Sequence, residues 1–381
     1  MDEIIQTKSI YLVLAGCSIL AIAASLWLLT KRRNLSRANI IGLAVLLFVA
    51  GNVFLFQNPF LFALSSRYLD GRDIGWRQAD ALKAESYRFS KNLAAEFLAV
   101  GNSQTNAIYA SYAKTEKRLA VLSMAGLNPM DYLLYKNIIA SLCNRTIILT
   151  VSDFDLGCKP NLLGAKLAPP QIFVLPSVVA LLRHVPDVAS SEIQDVVCAN
   201  IIDAYRYQYV FRGYMEKVLG RNRAFPKENF TAAEMLGFML RDLAKIDRKW
   251  FAINLLFLER FVAWADENAL EVVIVLGHYH PRALAANLAL HDEASAKLDL
   301  LCKRFANCSY FRGEELYEFT ESDYQDGFHV HEDAGRKFAE RIMAAIGKSR
   351  SRTPYSSGVT GDLLASDPKR LSPGLASSTG Y

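Results

Sequence analysis

Hydrophobic and polar positions divide the chain into two long apolar stretches followed by a regular alternation. From Ser9 to Thr30 there are 22 residues without a charge, and Ala38 to Ser66 is a second uncharged run, apolar until Gln57-Asn58-Pro59. Each is long enough to cross a hydrocarbon core of roughly 30 Å as a helix. Between them lie Lys31, Arg32, Arg33 and Arg37, a short basic loop that the positive-inside rule places in the cytoplasm. The pattern predicts a two-pass transmembrane hairpin over 1–66, with everything after Pro59 outside. That arrangement suits a bacterial inner membrane with the large domain in the periplasm. A cleaved signal peptide fits less well, because the basic residues follow the first apolar run and do not precede it. A buried helical hairpin in a soluble protein fits less well too, since such helices seldom stay uncharged over this length.

Residues 67–94 are charged and mixed, and read as a membrane-proximal linker. Apolar runs then alternate with helix-patterned segments. Strands are expected at Phe97–Val100, Leu119–Ser123, Thr146–Val151, Glu271–Leu276 and Cys308–Phe311. Helices are expected at 107–117, 130–142, 251–270, 284–305 and 332–346. Met130, Leu133, Leu134, Ile138 and Ile139 fall on one face at 3.6 spacing, with Asn128 as N-cap and Pro129 at the first helical position. Nearly continuous apolar strands alternating with helices predict a three-layer α/β/α fold around a five-stranded parallel sheet. Residues 157–248 break the alternation with Pro160, Pro169, Pro170 and Pro176 and then helical stretches including 191–207 and 231–246. They read as a helical insertion capping the sheet's C-terminal edge. The tail 349–381, rich in Ser, Gly and Pro, reads as disordered. The domain proper is thus 95–348.

Charge narrows the partners. Forty-three basic and 38 acidic residues give a net charge of +5, interspersed and without the footprint of a nucleic-acid binder. Six cysteines are scattered, with no CxxC and no Cys/His cluster at zinc spacing, so neither a metal nor another cofactor is expected. Outside the cytoplasm one or two disulfides become possible, and Cys302 with Cys308 is the nearest pair; free buried cysteines are the alternative.

The candidate chemistry lies at the strand ends. Phe97-Leu-Ala-Val-Gly-Asn-Ser-Gln104 reads as a buried strand, a tight turn and a helix start, with the hydroxyl of Ser103 lifted at the strand's C-terminal end. Far downstream, Asp326-Gly-Phe-His329 precedes the last helix. Sites in parallel sheets form at the C-terminal strand ends, and Ser103, Gly126, Asp153 and the run Gly277-His-Tyr-His280 all fall there. Together these segments offer a nucleophile, a base and an acid that orients the base. Gly327 is expected to give the loop the freedom to present both Asp326 and His329. His331, two residues past His329, lacks the three-residue offset from Asp326. Asp153, His278 and His280 are either ordinary strand-end residues or substrate contacts. The cluster Tyr205, Tyr207, Tyr209, Phe211 and Tyr214 either packs the insertion or stacks on sugar rings.

Val100-Gly-Asn-Ser103 with Asp326-Gly-Phe-His329 resembles the SGNH (GDSL-like) hydrolase superfamily, and more narrowly its membrane-anchored cell-envelope branch. The resemblance covers roughly 95–156 and 268–346. It implies Ser103 as nucleophile, Asp326 as orienting acid and His329 as base. It implies an oxyanion hole from the backbone of Ser103 and of Gly126, the family's second-block glycine. The chain departs from the family pattern twice. Asn102 stands where the family usually has aspartate, and Val151-Ser-Asp-Phe-Asp155 occupies the place of the third-block Gly-x-Asn-Asp, leaving Asn128 as the substitute side-chain donor. The implied function is a serine esterase or O-acyltransferase acting on esters, most simply O-acetyl groups, of envelope or secreted glycans, beside a lipid bilayer. The alternative is a non-catalytic assembly or scaffold subunit that partners a polytopic membrane-bound acyltransferase or polysaccharide synthase. A lipid esterase is a third reading and would require an apolar cleft under the insertion.

Overall fold

A computed structural model of the chain describes residues 41–43, 45–47, 95–124, 126–160, 162, 182–185, 187–201, 231–277 and 279–352. Five strands, β1 (Ala95–Gly101), β2 (Leu119–Ser123), β3 (Cys143–Val151), β4 (Glu271–Leu276) and β5 (Cys308–Arg312), form one sheet in the order β2-β1-β3-β4-β5. Every pairing is parallel. The three central strands β1, β3 and β4 are buried on both sides because their alternating side chains feed two separate cores. Phe97, Ala99, Ile148, Val273 and Val275 face α1 (Ser103–Thr115) and α10 (Glu332–Arg352). Leu98, Val100, Ile147, Leu149, Val272 and Ile274 face the opposite layer. That layer contains α2 (Pro129–Leu134), α3 (Lys136–Leu142), α7 (Arg248–Glu267) and α8 (Pro281–Lys303). With period 2 along each strand, one apolar run supplies both faces of a covered sheet. The expected three-layer architecture and all five strands are therefore present.

The helices differ in detail. The helix expected over 130–142 is two, α2 and α3, broken at Tyr135, whose φ of −96° and ψ of 3° interrupt the helical run. Asn128 caps α2 and Pro129 begins it, as the sequence predicts; a reciprocal bond from Asp131 completes a capping box. The tail reading overreaches at its start, since residues 349–352 continue α10. Its face of Ala334, Phe338, Ala339, Ile342 and Ile346 is buried against the sheet.

Two pieces of the insertion, α5 (Ser190–Ile201) and α6 (Ala232–Leu243), are described. Met239 and Leu243 of α6 pack with Tyr279 and Ala283 at the start of α8, and with Phe328. This helix of the insertion thus lies at the C-terminal edge of the sheet. Cys302, near the end of α8, and Cys308, opening β5, form a disulfide. The two apolar runs near the N-terminus lie outside the described residues, save 41–43 and 45–47, which are helical. The linker 67–94, the Tyr205–Tyr214 cluster and His278 also lie outside. Among the described residues no helix is long and apolar enough to cross a membrane.

Candidate active site

The order β2-β1-β3-β4-β5 makes β1 and β3 neighbours from which the chain leaves toward opposite faces. Such a divergence opens a crevice at the C-terminal strand ends. Ser103 stands at this point, as the first residue of α1, directly after β1. It contributes one of the N–H groups that a helix leaves without an intrahelical partner.

His329 arrives from the loop before α10, over 200 residues later. Its Nε2 lies 2.9 Å from Ser103 Oγ, and its Nδ1 lies 2.9 Å from Asp326 Oδ2. The three side chains form a line in which the hydroxyl can donate to the ring and the ring can donate to the carboxylate. Asp326 is fixed on its other side too. Its Oδ1 accepts the backbone N–H groups of Phe328 and His329, both at 2.7 Å. Burial alone would raise the Asp326 carboxyl. The bonds from the His329 ring and from those backbone groups outweigh it and hold the group below the usual carboxylate range. The loop itself is closed by an antiparallel bridge between Tyr324 and Val330, and Gln325 donates to the carbonyls of His329 and Val330. Gln104, next to the serine, donates to the Phe328 carbonyl. His331 is exposed and lies outside this line.

Gly327 serves a different purpose from the one its sequence context predicts. Among the described glycines only Gly126 has positive φ. A Cβ on Gly327 would lie 2.7 Å from the Leu236 Cα of α6. Glycine is required because the cap helix passes against the loop, not because the loop needs a left-handed residue.

In front of Ser103 is a cleft of about 210 Å³. Its polar lining includes Asn102, Gln104, Gly126, Asn128, Ser152 and Asp155; its apolar wall comes from Phe154, Met239, Leu243, Tyr279 and Phe328. Gly126, with φ of 71°, and Asn128 border the same space as the serine hydroxyl. Asn128 Oδ1 accepts from Met130 N to cap α2. Ser103, Gly126 and Asn128 thus line one crevice, and His329, with Asp326 behind it, reaches the Ser103 hydroxyl.

For Asp153 and His280 the structure favours the ordinary strand-end alternative, since neither lines the cleft. Asp153 is buried and turned away from the cleft, 3.1 Å from His291 Nδ1. His280 is buried as the N-cap of α8, accepting from Arg282 N, and does not line the cleft. Both reached strand ends in sequence, but a strand end has two sides and each residue takes the covered one.

The sequence reading also missed two networks. Asn102 Nδ2 donates to both oxygens of Asp155, at 3.0 Å each. The signal available was Ser152-x-x-Asp155, a capping box opening α4 (Asp153–Gly157). Burial first of all, opposed by hydrogen bonds from Ser152 and Asn102, pushes the Asp155 carboxyl up to about 6. Farther in, fully buried His291 stands between Asp153 and Glu314, whose Oε1 is 2.7 Å from its Nε2. Arg312 pairs with Glu314 and, at 2.8 Å, with Asp292. Desolvation opposes charging His291, yet the two carboxylates raise it to about 9. Tyr279 joins this network to the cleft: its hydroxyl oxygen accepts from Asp153 N, and its ring packs edge-on against His291. Among the described residues no His, Cys, Asp and Glu cluster is arranged to hold a metal.

No family model and no curated protein matches the chain. Among solved structures, it is similar to a protein from Streptococcus pneumonia provisionally described as a platelet activating factor, with a TM-score of 0.38 and 10% identity over 74% of this chain and 99% of that one.

Proposed function

We propose that the chain is a membrane-anchored, extracytoplasmic serine hydrolase of SGNH type, an esterase or O-acyltransferase acting on ester groups of envelope or secreted glycans. The observation that carries this reading is the continuous line from Ser103 Oγ to His329 Nε2 and from His329 Nδ1 to Asp326 Oδ2, open to a cleft. A serine hydroxyl is a weak nucleophile until a base takes its proton during attack. In the first step Oγ bonds to the ester carbonyl carbon while His329 takes the proton and Asp326 stabilises the resulting imidazolium. The oxyanion is met by the N–H groups of Ser103 and Gly126 and by the Asn128 amide; one such donor is worth on the order of 3 kcal/mol in the transition state. The carbon–oxygen bond to the alcohol breaks, and His329 returns the proton to the departing oxygen. The acyl-enzyme on Ser103 is then attacked by water, or by a sugar hydroxyl, through the same sequence in reverse.

A cleft of about 210 Å³ accommodates a small acyl group such as acetyl, and its apolar wall, to which Met239 and Leu243 of the insertion contribute, also meets the requirement of the lipid-esterase reading. The uncharged runs 9–30 and 38–66 and the basic loop between them support the anchor. Ile41, Val45 and Leu46, exposed in the short helical piece described there, are the kind of surface that lipid covers. The Cys302–Cys308 disulfide supports an oxidising compartment.

A fluorophosphonate probe tests the reading. Covalent labelling at Ser103 that is lost in Ser103→Ala and His329→Ala is the expected result. An unlabelled, folded wild-type protein overturns it and leaves the scaffold role.

A further inference from the structure

Asn102 precedes the serine, and the structure assigns it two jobs that only one residue type can perform together. Its Oδ1 accepts from Gln104 N at 2.9 Å, capping the helix that Ser103 begins. Its Nδ2 donates to Asp155 across the crevice. Capping alone needs an acceptor, which aspartate, serine or threonine would also supply. Donation to a carboxylate at the same time needs an amide. Aspartate at 102 would set two carboxylates about 3 Å apart, an arrangement in which both cannot ionise.

Asp155 is held as firmly as Asn102. Its Oδ2 accepts from Ser152 N at 2.9 Å and from Ser152 Oγ at 2.8 Å. Ser152 directly follows β3, and Gly101 of β1 pairs with Thr150 of β3. The bond therefore ties the exit of one strand to the exit of its neighbour at the point where the chain diverges. Both residues line the cleft. We propose that Asp155 is a positioning residue for Ser103, acting through Asn102. By selecting which end of the Asn102 amide faces α1, it fixes the turn that carries Ser103 Oγ toward His329. This inference rests on the nucleophile reading of Ser103.

The pair has a reversed form with the same connectivity. In N102D/D155N, the carboxylate at 102 still caps α1. The amide at 155 accepts from Ser152 through its oxygen and donates to residue 102 through its nitrogen. The test compares wild type, N102D, D155N and the double variant by fluorophosphonate labelling, by kcat and KM on 4-nitrophenyl acetate, and by thermal melting. N102D should lose about 100-fold in labelling rate through carboxylate repulsion. D155N should lose about 10-fold, in kcat and not in KM. The double variant should return to within about 5-fold of wild type, the non-additivity expected of directly coupled groups. If N102D does not fold, N102S keeps the cap and loses the bond, and should show about a 10-fold loss in kcat with little change in Tm. A double variant no faster than N102D, or N102S at the wild-type rate, overturns the positioning role. Failure of the wild type to label at Ser103 overturns the nucleophile reading and this inference with it. Labelling without rescue overturns only the inference.

Discussion

Gly335 of α10 lies directly against the backbone of Ala107 in α1: a Cβ at 335 would sit 2.2 Å from the Ala107 carbonyl oxygen. Ser103 opens the first helix and His329 stands just before the second. The contact sets how closely the two halves of the candidate site approach.

Gly335→Ala should therefore do more than destabilise. The obstacle is backbone, so the helices must separate, at a cost of about 1–3 kcal/mol as for other overpacked sites. Ser103 labelling should slow by more than the unfolded fraction explains. Thermal melting and labelling rate on the same preparation check this, and a variant that loses stability alone would show that the loop adjusts independently of α10.

Asn128 combines a cap with a candidate oxyanion donor, and Asn128→Ser separates the two. Serine retains an N-cap acceptor for Met130 N, so stability should change by only a few tenths of a kcal/mol. The side-chain amide is gone, and kcat on an acetyl ester should fall about 100-fold. An unchanged kcat would leave the oxyanion to the backbone groups of Ser103 and Gly126 alone.

The buried His291 network should give stability a defined pH window. The His291 pKa is raised from 6.5 to about 9. Its contribution is complete below the unfolded value and is lost as pH rises through about 9. The Glu314 pKa is lowered from 4.5 to about 2, since the His291 and Arg312 bonds outweigh burial. Its contribution is complete above the unfolded value and is lost as pH falls through about 2. Both are fully present between pH 4.5 and 6.5. His291→Leu leaves two carboxylates facing an apolar side chain, and should cost about 3–5 kcal/mol. Denaturant unfolding across pH measures both effects; a flat alkaline limb in wild type would exclude a charged His291.

The proposed anchor makes a topological prediction. Reporter fusions after Arg33 should behave as cytoplasmic, and fusions after residue 95 as extracytoplasmic. Neutralising Lys31, Arg32 and Arg33 should weaken or reverse that orientation. Non-reducing peptide mapping of the exported protein should recover Cys302 linked to Cys308. The same orientation for both fusion points would rule out the two-pass hairpin.

Much of this protein is written locally. The β-branched run of β3 and the apolar runs of β1, β2 and β4 set the strands, because a strand covered on both faces must be apolar throughout. Asn128-Pro129 marked a helix start that is there, and the three-residue offset from Asp326 pointed to His329, the histidine that lies beside Ser103, and not to His331. Each is a matter of neighbours along the chain. The break at Tyr135 was not legible, because the apolar face of 130–142 stays in register through it.

Which side of a strand end each residue takes, and which distant element it meets, is set by the assembled fold. Asp153 and Asp155, two positions apart, part company because α4 turns between them: one goes inward to His291, the other across the crevice to Asn102. Gly327 and Gly335 look like ordinary loop and helix glycines until Leu236 and Ala107 are placed against them. Propensity and periodicity act over a few residues. Partners from about 50 to more than 200 positions apart are selected by the order of strands and the crossing of helices, and that selection exists only once the sheet is assembled.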